Sequence, residues 1–160
     1  MRGLSLVVVA LAVGCGSSGT QIETKTALAA FSQAGFRGLA VLANHQAFTQ
    51  LDRLQPLAAG QKALDVDTIV TRGATLPLAP LVATRFPSIS MAKRRIENDQ
   101  PLLQNRLSAQ QRTLLPHSFD AAHLREVRVC NVVMSSYNPS DNPALRARFD
   151  RAVGLLRKHC

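Results

Sequence analysis

Many side chains in this sequence could do chemistry, but few stand at the spacings that chemistry requires. His45, His117, His123 and His159 show no ligand spacing, and no Cys-x-x-Cys occurs, so no metal centre is expected. Asp65 and Asp67 are two residues apart and share a strand face if a strand begins there. Such a pair could hold a cation or act as paired carboxylates, although a solvated strand edge or turn is the plainer reading. Ser17, Ser18, Ser88, Ser135 and Ser136 fall in tether, cap and strand-end positions with no His and Asp set around them. Neither Gly-x-Ser-x-Gly nor His-Glu-x-x-His is present. Gly14-x-Gly16-x-x-Gly19 matches a dinucleotide-binding spacing in letters only, because no strand–turn–helix unit surrounds it. No catalytic residue and no cofactor are therefore expected. One polar residue stands out. Alternation places Asn131 between Val129 and Val133, where a buried amide needs partners. It is the candidate polar residue of a small pocket, unless it satisfies neighbouring backbone or its face is exposed.

The cysteines lead to the N-terminus. Met1 and Arg2 precede an apolar run from Leu4 to Val13, followed by Gly14-Cys15 and the polar Gly16-Ser17-Ser18-Gly19. Ten residues of helix span about 15 Å, half of a bilayer's hydrocarbon core, so the run is too short to cross it. Leu6-Val7-Val8-Val9 alone would also suit a buried strand, but basic start, apolar run and small residues arrive in the order of an export signal. Ala12-Val13-Gly14-Cys15 resembles the lipobox of bacterial lipoprotein signal peptides, with Ala12 where Leu is commonest. The resemblance covers about the first 20 residues. It implies cleavage after Gly14, a diacylglycerol thioether on Cys15, and a chain anchored on the extracytoplasmic side of the bacterial cell membrane. Two or more acyl chains anchor stably where one does not. The expected organisation is a signal peptide over 1–14, the lipidated cysteine and a flexible tether over 15–21, and one domain over 22–160.

With Cys15 lipidated, Cys130 and Cys160 remain, and an exported chain with a leftover pair invites a disulfide. Arg125 to Ser136 reads as one valine-rich strand, with Val127, Val129, Asn131 and Val133 on one face and Arg128, Cys130, Val132 and Met134 on the other. A helix from Pro143 to Lys158, capped by Asn142, follows it. Its stripe of Leu145, Phe149, Ala152, Val153 and Leu156 continues to Cys160. A helix returning across its own strand brings the two cysteines together. Closing a loop of about 30 residues is worth about 3–4 kcal/mol in the chain-entropy model. A free, buried Cys130 is the competing reading.

The elements that must position these residues alternate. A helix over Thr24–Ala34 ends at Gly35, with Phe36 closing the apolar contact beyond it. Strands are predicted at Leu39–Ala43, Val66–Thr71 and Ala79–Phe86. A helix capped by Ser88 runs from about Ile89 to Asp99 and ends or kinks at Pro101. Asn44 to Ala63 has mixed spacings, and Leu102 to His117 reads as irregular. The fold expected is a small two-layer α/β sandwich: an antiparallel or mixed sheet of about four strands with helices packed on one face. An open three-layer α/β fold is the runner-up, but it wants more strands than this chain supplies.

Composition narrows the function. Aromatic residues make up 4%, with no Trp and one Tyr, too few for an aromatic sugar platform or a methyl-lysine cage. The formal charge is +9, and from Met91 onward 12 Lys and Arg face 6 Asp and Glu. Lys93, Arg94, Arg95, Arg146, Arg148 and Arg151 form a candidate basic face; solvated charge is the bland alternative. Export and the absence of aromatic–basic interleaving argue against nucleic acid. Anionic membrane, an anionic envelope component or an acidic protein partner fit better. The function expected is a membrane-anchored binding or structural module, the alternatives being a small-solute-binding accessory domain or a hydrolase with no visible motif.

Overall fold

The computed structural model describes residues 20–42, 67–74, 78–104, 106, 108–113 and 115–160. The export signal with Cys15, the stretch Asn44 to Ala63 and Asp65 lie outside the described residues. Helix α1 spans Thr24–Ala34. It stops because Gly35 adopts φ 99°, where its N–H reaches Ser32 O and the Phe36 N–H reaches Phe31 O, both at 3.1 Å. That left-handed position suits glycine, and Phe31 and Phe36 are buried in one apolar cluster. Strands β1 (Leu39–Leu42), β2 (Asp67–Thr71) and β3 (Val82–Arg85) then pair antiparallel in chain order.

Helix α2 spans Ile89–Leu103 and continues past Pro101, beyond the predicted end. Proline removes one backbone donor, but the rungs around it hold. The Gln104 N–H reaches Gln100 O at 2.9 Å, and the Gln100 side chain donates to Ile96 O at 3.3 Å. Ser88 caps the helix as expected, its Oγ accepting from the Met91 N–H at 3.2 Å. A helical turn at Ala109–Arg112 and a 3-10 turn at Ala121–His123 lead to β4 (Leu124–Val129), β5 (Val132–Tyr137) and helix α3 (Pro143–Arg157).

The sheet has five antiparallel strands in the order β1-β2-β3-β5-β4, with helices packed on it, a small α/β sandwich. The fifth strand comes from a correction: Arg125 to Ser136 is a hairpin rather than one strand. Cys130 and Asn131 form a two-residue turn, with φ 52° at Cys130 and Val129 opposite Val132. The turn changes the facing. Val127, Val129, Val132 and Met134 all join the core under α1 and α3, with Phe31, Ile69, Leu81, Phe149 and Leu156. Val133 faces the other way, against Phe86, Ala92, Met91 and Ile96, so α2 lies on the opposite side of the sheet rather than with α1 and α3 on the single helix-covered face expected. Strand β4 is therefore sandwiched, its alternate residues facing α3 on one side and α2 on the other.

Candidate functional site

The open end of the β4–β5 hairpin meets the first turn of α3, and the loop between β5 and α3 shapes that corner. The Asn138 side chain brackets the loop, accepting from the Asn142 N–H at 2.8 Å and donating to Asn142 O at 3.0 Å. Asn142 in turn caps α3, its Oδ1 accepting from the N–H groups of Ala144 (2.9 Å) and Leu145 (3.3 Å), with Pro143 in the first turn. Asp141, at φ 50°, precedes the cap and pairs with Arg146 one turn into the helix. On the strand side, Arg125 lies directly opposite Ser136. Its guanidinium sits 5.1 Å above the centre of the buried Phe149 ring, and its Nη1 is 2.6 Å from Asp150 Oδ1. The two contacts fix the guanidinium from below and from one side.

These residues enclose a cleft of about 180 Å³, with His123, Arg125, Ser136, Asn138, Asp141 and Arg146 among its walls and Phe149 beneath. His123 ends the 3-10 turn that Asp120 caps, with its Nε2 3.8 Å from Asp120 Oδ2 and its ring edge-on to Tyr137. Ser136 is 4% exposed and lines the cleft from β5. Ser136 and His123 share this cleft with no hydrogen bond between them. Read along the sequence, Ser136 was a strand end and Arg125 one charge among many. Only the register of β4 on β5, and the packing of α3 over both, brings them together.

On the opposite side of β4, Glu126 points at α2. Arg95 Nε donates to Asp99 Oδ2 at 2.6 Å, with side chains 11% and 5% exposed. Burial raises the Asp99 pKa above the ordinary carboxylate value, and the Arg95 charge opposes that shift. Glu126 is pushed up to about 9, first by burial and then by the neighbouring Asp99 charge, against the pull of Arg95. Its Oε1 is buried and, among the described residues, makes no hydrogen bond. Glu126 therefore holds its proton at neutral pH, and the Arg95 guanidinium, bonded to Asp99, favours the charged form of that carboxyl.

The structure separates the residues of the candidate basic face. Lys93 and Arg94 are exposed on α2, on one side of the sheet. Arg95 turns inward to Asp99. Arg146, Arg148 and Arg151 are exposed on α3, on the other side. A single basic face is thus corrected to two separate groups, because a helical periodicity shows which residues share one helix face but not which side of a sheet the helix covers. Asn131 is 0% exposed and does not line the cleft beside α3. Its side chain accepts from the Ile22 N–H at 2.7 Å and donates to Ile22 O at 3.2 Å and Phe86 O at 2.8 Å. Its own carbonyl accepts from the Phe86 N–H at 2.8 Å. Three distant stretches of chain are tied at this amide. Asp67 is held by Thr24 and by Arg85, whose Nη2 lies 3.4 Å away. Cys130 and Cys160 lie at disulfide distance, with Cα atoms 6.0 Å apart. The route differs from the prediction: Cys130 reaches the end of α3 from a hairpin turn rather than from a strand face.

Among the described residues no group of His, Cys, Asp and Glu could hold a metal ion, and no helix is long and apolar enough to cross a membrane. Comparison with known families, curated proteins and solved structures gives no match.

Proposed function

We propose that this chain is a lipid-anchored extracytoplasmic binding module, held at the bacterial membrane through Cys15, that engages an anionic component of the envelope at the cleft beside α3. The observation that carries the binding reading is the convergence of Arg125, Arg146, His123 and Ser136, from four different elements, on one cleft. Cationic side chains outnumber the single acidic wall residue, Asp141. Both guanidiniums are about half exposed, so they reach a ligand without a costly opening of the core. The anchoring reading is supported by Ala12-Val13-Gly14-Cys15 after the apolar run. The small volume of the cleft also favours a second reading, a small-solute-binding accessory domain using the same residues.

Intact-mass measurement on protein extracted from membranes of its host tests the anchor. The expected result is loss of residues 1–14 with lipid mass on Cys15, abolished by Cys15→Ser. Full-length, unlipidated protein in the soluble fraction would overturn it. The Cys130–Cys160 bond is the second element of an exported chain, and a non-reducing peptide map should return the two cysteines as one linked peptide. Two free thiols in protein recovered from the envelope would remove this support.

A further inference from the structure

We infer that the cleft between the β4–β5 hairpin and the first turn of α3 is a site for a phosphoryl group carried on a short polyol, such as a glycerol phosphate unit. This inference rests on the proposed reading of the cleft as an anion site and assigns its chemical class. The donors arrive from different directions because they stand on different elements: Arg125 on β4, Ser136 on β5, Arg146 on α3 and His123 on the 3-10 turn. A planar carboxylate is satisfied by one guanidinium approaching in its plane. A tetrahedral phosphoryl group presents diverging acceptor oxygens, three in a monoester and two in a diester, and suits donors converging from several sides.

The arginines are arranged for exchange. Arg125 is already fixed by the Phe149 ring and by Asp150, which occupy one face and one edge of its guanidinium and leave further N–H donors. Arg146 is held only by Asp141, whose side chain is largely exposed, on a loop residue with positive φ. Asp141 thus occupies the place of an anion that a phosphoryl group would take over. The cleft volume of about 180 Å³ holds more than a bare phosphate, and Ala122, Leu124 and Phe149 supply apolar wall for a carbon skeleton. The ester could come from a lipid headgroup, as a phosphodiester, or from a free monoester.

Calorimetric titration of the full chain in non-ionic detergent, at fixed salt, tests the inference with four probes: inorganic phosphate, glycerol 3-phosphate, glycerophosphoglycerol and acetate. The expected order has a glycerol phosphate ester tightest, inorganic phosphate weaker and acetate weakest. Tighter binding of the diester assigns the source to a headgroup, and tighter binding of the monoester assigns it to a free compound. Arg146→Gln should weaken the ester about ten- to hundredfold, the range for hydrogen bonds to charged groups. Asp141→Asn should strengthen it, because it frees Arg146. Ser136→Ala should weaken it by about threefold to tenfold, with an unchanged melting temperature. No saturable binding of any phosphorus compound, or binding indifferent to both Arg146→Gln and Ser136→Ala, would overturn the inference. Acetate binding as tightly as phosphate would overturn the phosphoryl assignment while leaving an anion site. Failure of the anchor would appear separately, in the mass of Cys15.

Discussion

The two faces of β4 carry the same chemistry in opposite surroundings. On each, an arginine meets an aspartate at 2.6 Å. Toward α3, Arg125 and Asp150 keep 49% and 52% of their side-chain area in solvent. Toward α2, Arg95 and Asp99 are almost wholly enclosed, and Glu126 is packed against them. Equal distances therefore hide unequal energetics. Water screens the outer pair, so its attraction is small and its donors stay free to change partners. Enclosure strips solvation from the inner pair, and burial together with the neighbouring Asp99 keeps Glu126 protonated. The outer face is suited to binding and the inner face to holding α2 on the sheet.

The largest effect is expected from breaking the inner pair. Arg95→Met removes the cation from beside two enclosed carboxyl groups, and should cost about 3–5 kcal/mol in urea unfolding. A loss below about 1 kcal/mol would mean that the inner pair behaves like the outer one. Next in size is the cysteine pair, which ties the closed end of the hairpin to the end of α3. Cys160→Ser should lower stability by about 2–4 kcal/mol, and reductant should have no further effect on that variant.

The inner face also sets a pH dependence. The folded-state pKa of Glu126 is raised from 4.5 to about 9, so between these values the folded chain binds a proton that the unfolded chain has released. The stability this contributes is complete below about pH 4.5 and is lost progressively as pH rises toward 9. The slope is bounded by one proton, about 1.4 kcal/mol per pH unit. Glu126→Gln should flatten this segment of the stability–pH curve and make the fold more resistant to alkali. A curve unchanged by the substitution would remove the protonated pair. The smallest effect belongs to the outer face: Arg125→Ala should cost about 1 kcal/mol, combining a solvent-screened ion pair and a contact on Phe149. That loss should shrink in high salt, whereas the loss from Arg95→Met should not.

What could be read along the chain was what neighbours in sequence decide. Gly35 ends α1, Ser88 opens α2, and Asn142 with Pro143 opens α3, because a cap is a bond between a residue and backbone two to four positions away. Alternating strands and amphipathic helices were enough to specify a small α/β sandwich, since both report which side of each element must leave water. The partner of Cys130 was legible for a simpler reason, the small number of cysteines and the stripe that leads to Cys160.

The rest was decided by residues far apart. Alternation runs through Cys130 and Asn131 without a glycine to mark a turn. The turn is held by the bonds of Asn131 to Ile22 and Phe86, 109 and 45 positions away. Glu126 sits among Arg125, Val127 and Arg128 and reads as a solvated charge; α2 packing on β4 is what removes its water. The same packing puts α2 and α3 on opposite sides of the sheet and divides the basic residues that composition had counted together. Charge, caps and periodicity are properties of a chain segment. Desolvation and the convergence of Arg125, Ser136 and Arg146 on one cleft exist only once the β4–β5 register and the seat of α3 are set.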